Sequence, residues 1–292
     1  MSFAFYCDVA FGGLVLGGLY ALIAVGLSLQ YGVARVLNVS HGEFIMLGAF
    51  ATYSLYTFLG INHLISLVIT GPVIFLIAFL AHRTMFNRIR KTSPTIAAFE
   101  GNSLLASFGL LFIIQNIALL GWGPDIKGFH YLSGSIKLFG NTYAINRIVA
   151  LVLALIAGIA FYLFLLNTRL GKAIRAAAQD RDTAQLMGVN IHKVLGFCFG
   201  LGAFMAALAG FLISMIFEIT PTMGLPYTII AIIAVVLGGL GNILGSLIGG
   251  LILGLVGNVV MCFNPALSMV AYYIIFLLLI QLRPSGILGR KT

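Results

Sequence analysis

The side chains that could carry out chemistry are few in this chain, and they do not cluster. Among 292 residues there are seven acidic residues, five histidines and three cysteines. The histidines are scattered through different loops and segment ends, and Cys7, Cys198 and Cys262 sit in or beside apolar runs. An odd, scattered set of cysteines is neither a disulfide framework nor a metal-ligand cluster. The sequence therefore predicts no metal site, no cofactor and no enzyme active site.

The chain also lacks a phosphate-binding loop. Such a loop needs Gly-x-x-x-x-Gly-Lys-Ser/Thr, because its backbone N–H groups surround the phosphates. The only Gly-Lys pair is Gly171-Lys172, which is followed by Ala173, and Leu166 stands where the first glycine is required. If this protein takes part in an ATP-driven process, the ATPase must be a partner.

Two acidic residues, Glu100 and Glu218, are the candidates for an intramembrane ion path. A charged residue inside a membrane segment is by default a mark of such a path. Both glutamates, however, fall near the ends of apolar segments, and we expect them at the membrane interface. The absence of an acidic pair in mid-segment argues against a proton-coupled carrier.

A polar sequence, Asn38-Val-Ser-His-Gly-Glu43, directly precedes an apolar run. The spacing of Ser40 and Glu43 fits a capping box, in which Ser40 bonds to the Glu43 N–H and the Glu43 side chain bonds back to Ser40. That role accounts for Glu43. We expect Asn38 and His41 near the membrane edge, where they either line or gate a translocation pathway or simply sit at the interface.

The composition indicates what kind of structural element these residues belong to. Hydrophobic residues make up 61% of the chain and charged residues 8%, against roughly 45–50% and about 25% in soluble domains. The mean hydropathy is +1.12, and unbroken apolar runs approach the ~20 residues that a helix needs to cross a bilayer. The alternation of a membrane barrel is missing. The predicted fold is an all-α, polytopic helical bundle in the lipid bilayer.

Eight or nine membrane segments are predicted within one domain, residues 1–292. A glycine-rich break, Gly238-Gly239-Leu240-Gly241-Asn242, splits the apolar region 227–261 into a crossing pair of short helices or a re-entrant pair. Glycines and alanines four residues apart should let helices approach closely. The other predicted segments are 9–29, 41–59, 64–81, 103–120, 147–166, 194–217 and 266–282, with 83–91 as a loop and 121–146 as an external loop.

The net charge of +9 comes mostly from three segments. Twelve of the sixteen Lys and Arg residues lie within 83–91, 169–193 and 283–291. Because excess Lys and Arg marks cytoplasmic loops, these segments should share the cytoplasmic side, with the N-terminus periplasmic and the C-terminus cytoplasmic. The basic residues do not form one soluble face, so no nucleic acid partner is expected.

Segment 167–193 is the only long hydrophilic stretch with a helical pattern. Strong helix formers fill 171–179, Asp180 or Asp182 can cap a second short helix over 183–187, and Gly188 suits the left-handed residue that ends it. Small and apolar residues lie among the charges, namely Ile174, Ala177, Ala178, Leu186 and Met187. The segment is either an amphipathic loop on anionic lipid or a docking element for another protein.

Three sequences in order resemble the permease subunits of bacterial high-affinity branched-chain amino-acid ABC importers. They are the polar sequence from Asn38 with Gly48-Ala49-Phe50, the segment 167–193, and the glycine-rich run 236–250. The resemblance covers nearly the whole chain. It implies a bacterial inner-membrane permease paired with a second homologous permease subunit, two cytoplasmic ATP-binding subunits and a periplasmic substrate-binding protein.

The resemblance implies that 167–193 couples transport to the ATP-binding subunits, and we expect Arg175 and Arg181 to contribute to their docking. Candidate pathway residues are Asn38 and His41, with backbone groups of the broken helix at Gly238, Gly241 and Asn242. The candidate coupling residues are Arg169, Gly171, Arg175, Ala176, Ala177, Asp180, Ala184 and Gly188.

Other functions stay open at the level of the sequence. A self-sufficient secondary amino-acid carrier would need an ion site. A permease of the same kind could carry another small solute, such as a sugar or urea. A non-transporting membrane scaffold would not account for the helical segment 167–193.

Overall fold

A computed structural model of the protein describes residues 3–129, 131–138, 141–283 and 285–289. His130 and the basic residues Arg290 and Lys291 lie outside the described residues. The helices are α1 (Phe3–Ala34), α2 (His41–Leu59), α3 (His63–Ala81), α4 (Asn87–Thr92), α5 (Ile96–Trp122), α6 (Ile145–Asn167), α7 (Arg169–Gln179), α8 (Arg181–Leu186), α9 (Ile191–Ile216), α10 (Gly224–Gly238), α11 (Ile243–Phe263) and α12 (Ser268–Leu282).

Seven stretches of the described chain are long and apolar enough to cross a membrane, which confirms a polytopic helical membrane protein. The stretches are Phe5–Ala34, His63–Thr92, Ile96–Trp122, Ile145–Asn167, Ile191–Ile216, Ile243–Phe263 and Pro265–Leu282. Helix α2 and the shorter helix α10 are not among them. Whether the total is the predicted eight or nine segments depends on these two helices.

Helices α1 and α9 form the centre of the bundle. Helix α1 packs along α11 and also contacts α9, α10 and α6, while α9 lies against α2 and α3 as well. The α1–α11 contact uses small residues, with Gly254 against Gly17 and Gly250 against Ala21. Backbones approach closely in lipid where such residues meet, so the packing role predicted for these glycines is confirmed.

The basic stretch 83–91 is helical, and its prediction as a loop was wrong. A π-helical segment, His82–Phe86, continues α3 directly into α4. The run contains no Gly or Pro before Pro94, and the helix ends at Thr92 because a residue before proline is disfavoured in the α region. Ser93 accordingly has extended backbone angles, φ −86° and ψ 126°.

The predicted break in 227–261 is confirmed, but its two helices are unequal. Helix α10 has 15 residues and α11 has 21, so only α10 is short. Gly239 and Gly241 between them have φ of +104° and +79°, which glycine adopts without steric cost. The Asn242 side chain then caps α11 by accepting the Gly245 N–H at 2.9 Å.

The segment 121–146, predicted as an external loop, contains a small antiparallel hairpin. Strand β1 (Ser135–Leu138) pairs with β2 (Asn141–Ala144), with Ser135 opposite Ala144. The hairpin connects α5 to α6, and its two strands depart from the predicted all-α fold.

Candidate functional site

Helices α7 and α8 form a two-helix corner between α6 and α9, as predicted. Thr168 caps α7 by accepting the Gly171 N–H at 3.0 Å. Asp180 caps α8, and its Oδ1 accepts the N–H groups of Asp182 at 2.9 Å and Thr183 at 3.2 Å. Asp180 is therefore the capping residue rather than Asp182. Gly188 follows α8 with φ +84°, the left-handed conformation expected there.

One face of this corner attaches it to the bundle. Gly171, Ile174, Ala177 and Ala184 are buried, and α7 packs against α6, α9 and α1. Gly171 lies against the carbonyl oxygens at the end of α6, where a Cβ would collide with the backbone. These buried residues therefore hold the corner in place.

The other face of the corner is open. Arg169, Arg175, Asp180 and Gly188 are exposed, and Ala176 is half-buried. Arg175 donates from Nη2 to the Leu166 carbonyl oxygen at 3.2 Å, at the end of α6.

Two large apolar side chains end the corner. Leu186 and Met187 are 87% and 80% exposed. They form the tip of a charged projection, which makes them the apolar contact points most available to another surface.

Two arginines bind the last turn of α1. Arg181 of α8 donates to the Val33 carbonyl oxygen at 2.5 Å, and Arg90 of α4 donates to the Ala34 carbonyl oxygen at 2.6 Å. Cations are favourable at a helix C-terminus because its carbonyl groups carry partial negative charge. Arg181, which we expected at a docking surface, is half-buried and turned inward.

Two of the basic segments meet at this end of α1, and the described tail residues 285–289 lie beside the neighbouring turn. Arg90 and Arg181 bring 83–91 and 169–193 there. The turn between α10 and α11 joins them through Gly241, which lies against Gly32. The C-terminal tail folds onto that turn, with the Asn242 Nδ2 group donating to the Leu288 carbonyl oxygen at 2.7 Å.

Asp180 and Arg181, the two charged residues at the start of α8, lie in different electrostatic environments. Hydrogen bonds from the Thr183 hydroxyl and N–H lower the pKa of the exposed Asp180 carboxyl below its ordinary value. Burial, followed by the nearby Arg35 guanidinium, lowers the pKa of Arg181. Asp180 is thus stabilised as the anion that caps α8. Arg181 is less solvated, because it is partly buried.

The predicted capping box at the start of α2 was wrong. The Ser40 hydroxyl donates to Asn38 Oδ1 at 2.6 Å instead of capping the helix. Asn38 Nδ2 in turn donates to Gln30 Oε1 at 3.1 Å, and Gln30 Nε2 donates to the Phe199 carbonyl oxygen at 3.0 Å. The polar sequence belongs to a buried network that links α1 to α9. The start of α2 is buried as well, and the Gly42 N–H donates to the Thr228 hydroxyl at 2.8 Å rather than to Ser40.

Glu43, assigned to a capping box from the sequence, makes a buried contact with α10 that the sequence analysis missed. Its side chain is fully buried, and neither carboxyl oxygen has a hydrogen-bond partner. The carboxyl group lies against Gly224, the first residue of α10, where a Cβ would collide with it. The capping pattern concealed this residue, because it placed Glu43 at the edge of the membrane.

The candidate pathway residues fall into two separate groups. Asn38 and His41 are fully buried, and the His41 Nε2 atom lies 3.1 Å from the Ile23 carbonyl oxygen of α1. Gly238, Gly241 and Asn242 lie at the turn under the C-terminal tail.

The remaining acidic candidates lie near segment ends, as expected. Glu100 is in the first turns of α5 and Glu218 is just beyond α9. Within the described ranges, no group of three or more His, Cys, Asp or Glu residues is arranged to hold a metal ion.

A family model and individual relatives both identify the same protein family. A family model described as the permease component of branched-chain amino acid transport systems matches residues 9–280. The high-affinity branched-chain amino acid transport system permease protein LivH of Salmonella typhimurium is 31% identical, over 99% of this chain and 97% of its own length. The corresponding protein BraD of Pseudomonas aeruginosa is 29% identical over 98% and 96%.

A sugar permease is similar over a shorter stretch. The ribose import permease protein RbsC of Haemophilus influenzae is 28% identical over 75% of this chain and 65% of its own length. No solved structure shows a significant match.

Proposed function

This chain belongs to the family of permease components of branched-chain amino acid transport systems, and we propose that it is driven by separate ATP-binding subunits that dock on the α7–α8 corner. It is a transporter subunit, and its relatives favour an ABC importer over a secondary carrier. A branched-chain amino acid is the proposed substrate, because the sugar permease matches less of the chain.

The proposed orientation follows from charge. The end of α1 that collects Arg90, Arg181 and the C-terminal tail faces the cytoplasm, because Lys and Arg are enriched on that side of membrane proteins. The N-terminus is then periplasmic, and the chain lies in a bacterial inner membrane. A periplasmic substrate-binding protein and a second permease subunit complete the importer.

The docking assignment rests on the exposed tip formed by Leu186 and Met187. Gly171, Ala177 and Ala184 of the corner are buried against the bundle, whereas these two apolar side chains are exposed. An apolar side chain of this size stabilises a contact by roughly 1.5–3 kcal/mol when it becomes fully buried. Arg169 and Arg175, exposed on the preceding helix, supply charge around that contact.

The test is recovery of the ATP-binding subunits with the tagged permease. We would purify the complex from native membranes in mild detergent, then quantify ATP-binding subunits and ATP hydrolysis for the wild type and for Leu186→Ser/Met187→Ser. Loss of both anchors should lower recovery of the ATP-binding subunits by at least about tenfold.

The matched control is Leu132→Ser. Leu132 is an exposed leucine in the hairpin segment at the other end of α6, so its replacement should leave recovery unchanged. Full recovery of ATP-binding subunits with the double variant would contradict docking at the tip. An amphipathic loop that only rests on lipid would give that result.

For the pathway, we propose that the buried crossing of α2 and α10 acts as a gate rather than as an open channel. The crossing holds Gly42 against Gly224, and the buried groups of Asn38, His41 and Glu43 surround it. Gly238, Gly241 and Asn242 form the turn that connects this gate to α11. In many transporters, broken helices form the substrate site, and one helix bundle rocks or gates against another around it.

A further inference from the structure

A cavity of about 680 Å³ lies between the α7–α8 corner and the end of α1. Arg35, Arg90 and Arg181 line it from three different parts of the chain, and Asp180 and Asp182 lie at the same opening. We call this the arginine cavity. Neither the family match nor the coupling role of the corner accounts for three guanidinium groups around one space.

Most of the donors in the arginine cavity are unused. Each guanidinium has five N–H donors, and Arg90 and Arg181 each make one hydrogen bond, to the end of α1. The Arg90 Nε atom is buried with no hydrogen-bond partner. Its guanidinium is held 4.4 Å from the centre of the Phe99 ring. The Arg35 guanidinium lies 5.9 Å from the centre of the Tyr31 ring.

The nearby carboxylates form no ion pair with these groups in the described part of the chain. Asp180 is already occupied, because it accepts two backbone N–H groups and the Thr183 hydroxyl at the start of α8. Asp182 is exposed. The described residues form a single ion pair, between Lys127 and Asp125, and neither of these residues lines the cavity. Burial and the Arg35 guanidinium lower the pKa of Arg181 more than the carboxylates of Asp182 and Glu100 raise it. Within the described ranges, none of the three arginines forms an ion pair with a carboxylate.

We propose that the arginine cavity binds the phosphate group of an anionic phospholipid. Arginine forks match the geometry of phosphate oxygens, and basic pockets at the cytoplasmic ends of membrane helices bind lipid headgroups. The proposal rests on the proposed function only for the orientation that puts this end of the bundle in the cytoplasmic leaflet.

The surroundings favour a lipid over a free ion. Ile96, at the start of α5, lines the cavity and is 71% exposed. Further along α5, Leu105 and Phe112 are also exposed, and the main contacts of the helix are with α2, α4 and the π-helical segment. An acyl chain can lie on this apolar face while its headgroup enters the cavity.

A bound headgroup would join three elements whose facing side chains carry like charges. It would contact α4 through Arg90, α8 through Arg181 and the chain after α1 through Arg35. The anion would offset their repulsion and hold the α7–α8 corner against α1. Binding is therefore expected to strengthen the attachment of the corner to the bundle.

The test compares lipid retention in nanodiscs of stated composition. The purified permease complex would be reconstituted in phosphatidylcholine alone and in phosphatidylcholine with phosphatidylglycerol, and retained lipid would be counted by native mass spectrometry. We expect retained phosphatidylglycerol in the wild type, and about fivefold weaker retention in Arg35→Gln. The Arg35 side chain makes no backbone hydrogen bond in the structure, so this variant should fold.

Controls separate the cavity from general surface charge and from free phosphate. Arg88→Gln removes a cation at the same end that does not line the cavity, and it should retain lipid as the wild type does. Competition by inorganic phosphate would support a phosphate site. Binding of phosphate without retention of phosphatidylglycerol would overturn the lipid assignment.

Equal loss in the Arg35 and Arg88 variants, or equal retention of the two lipids by the wild type, would overturn the proposal. These outcomes do not depend on the ATP-binding subunits. If docking on Leu186 and Met187 fails while phosphatidylglycerol is retained, only the proposed docking surface is lost.

Discussion

The Arg181 guanidinium donates a hydrogen bond to the carbonyl oxygen of Val33, 148 residues earlier in the chain, at 2.5 Å. This bond joins the first residue of α8 to the last turn of α1, the helix at the centre of the bundle. Because α1 packs against α6, α9, α10 and α11, a displacement of the α7–α8 corner would reach most of the bundle through this contact.

Arg181→Met is expected to separate ATP hydrolysis from transport. A hydrogen bond to a charged group contributes about 1.5–3 kcal/mol, so loss of the link should lower solute transported per ATP hydrolysed by about tenfold. The ATP-binding subunits should still copurify, because the tip at Leu186 and Met187 is intact. Proteoliposome uptake and ATPase rates measured on one preparation give the ratio.

Two substitutions control this experiment. Arg181→Lys keeps the charge and should restore part of the ratio. Lys193→Met removes an exposed cation from the same segment and should leave the ratio at the wild-type value. An unchanged ratio in Arg181→Met would show that the contact does not transmit motion.

The crossing of α2 and α10 should not tolerate a methyl group. A Cβ at Gly42 would collide with the Gly224 carbonyl oxygen, whereas a Cβ at Gly109 on α5 meets no atom within 4 Å. Overpacking of this kind costs about 2 kcal/mol of folding free energy. Gly42→Ala should therefore lower the melting temperature of the purified protein, and Gly109→Ala should not. Equal melting temperatures would contradict the close crossing.

Replacement of Glu43 by an apolar side chain of similar size should not destabilise the protein. Glu43 has no hydrogen-bond partner to lose, and a buried polar group without a partner costs about 1–3 kcal/mol. Glu43→Met should keep or raise the melting temperature, whereas Ser40→Ala should lower it, because Ser40 loses its bond to Asn38. A capping box would instead make both variants less stable, so the pair of measurements distinguishes the two arrangements.

The α8 cap should respond to acid. Because its folded-state pKa is lowered, ionised Asp180 stabilises α8 above its unfolded pKa of about 3.9, and this contribution is lost as the pH falls through the lowered folded-state value. Hydrogen exchange of the α8 amides, corrected for intrinsic rates, should show falling protection in that range. Asp180→Asn keeps a hydrogen-bond acceptor that does not titrate, so this variant should abolish the pH dependence of protection. If the pH dependence persists in the variant, another group is responsible for it.

The sequence by itself determined the class of protein and its local elements. Apolar runs of membrane length require helices, since backbone groups in lipid must be satisfied within the segment. The helix pair 171–179 and 183–187, the cap near Asp180 and the turn at Gly188 were also predictable, because propensity and capping act over a few residues. The break at Gly239 and Gly241 belongs to the same kind of local information.

Only the tertiary structure decided which way the polar residues face. Ser40 bonds to Asn38 rather than to its own helix, Glu43 meets α10, and Arg181 reaches Val33. In each case the deciding partner or neighbour is set by packing, and for Glu43 and Arg181 it lies more than a hundred residues away. The local sequence around an exposed arginine is similar to that around an arginine bound to a helix end. The two differ in the residue that packs against the arginine, which the local sequence does not specify. The membrane fold thus follows from the composition, whereas the cavity and the link to α1 follow from how distant segments pack.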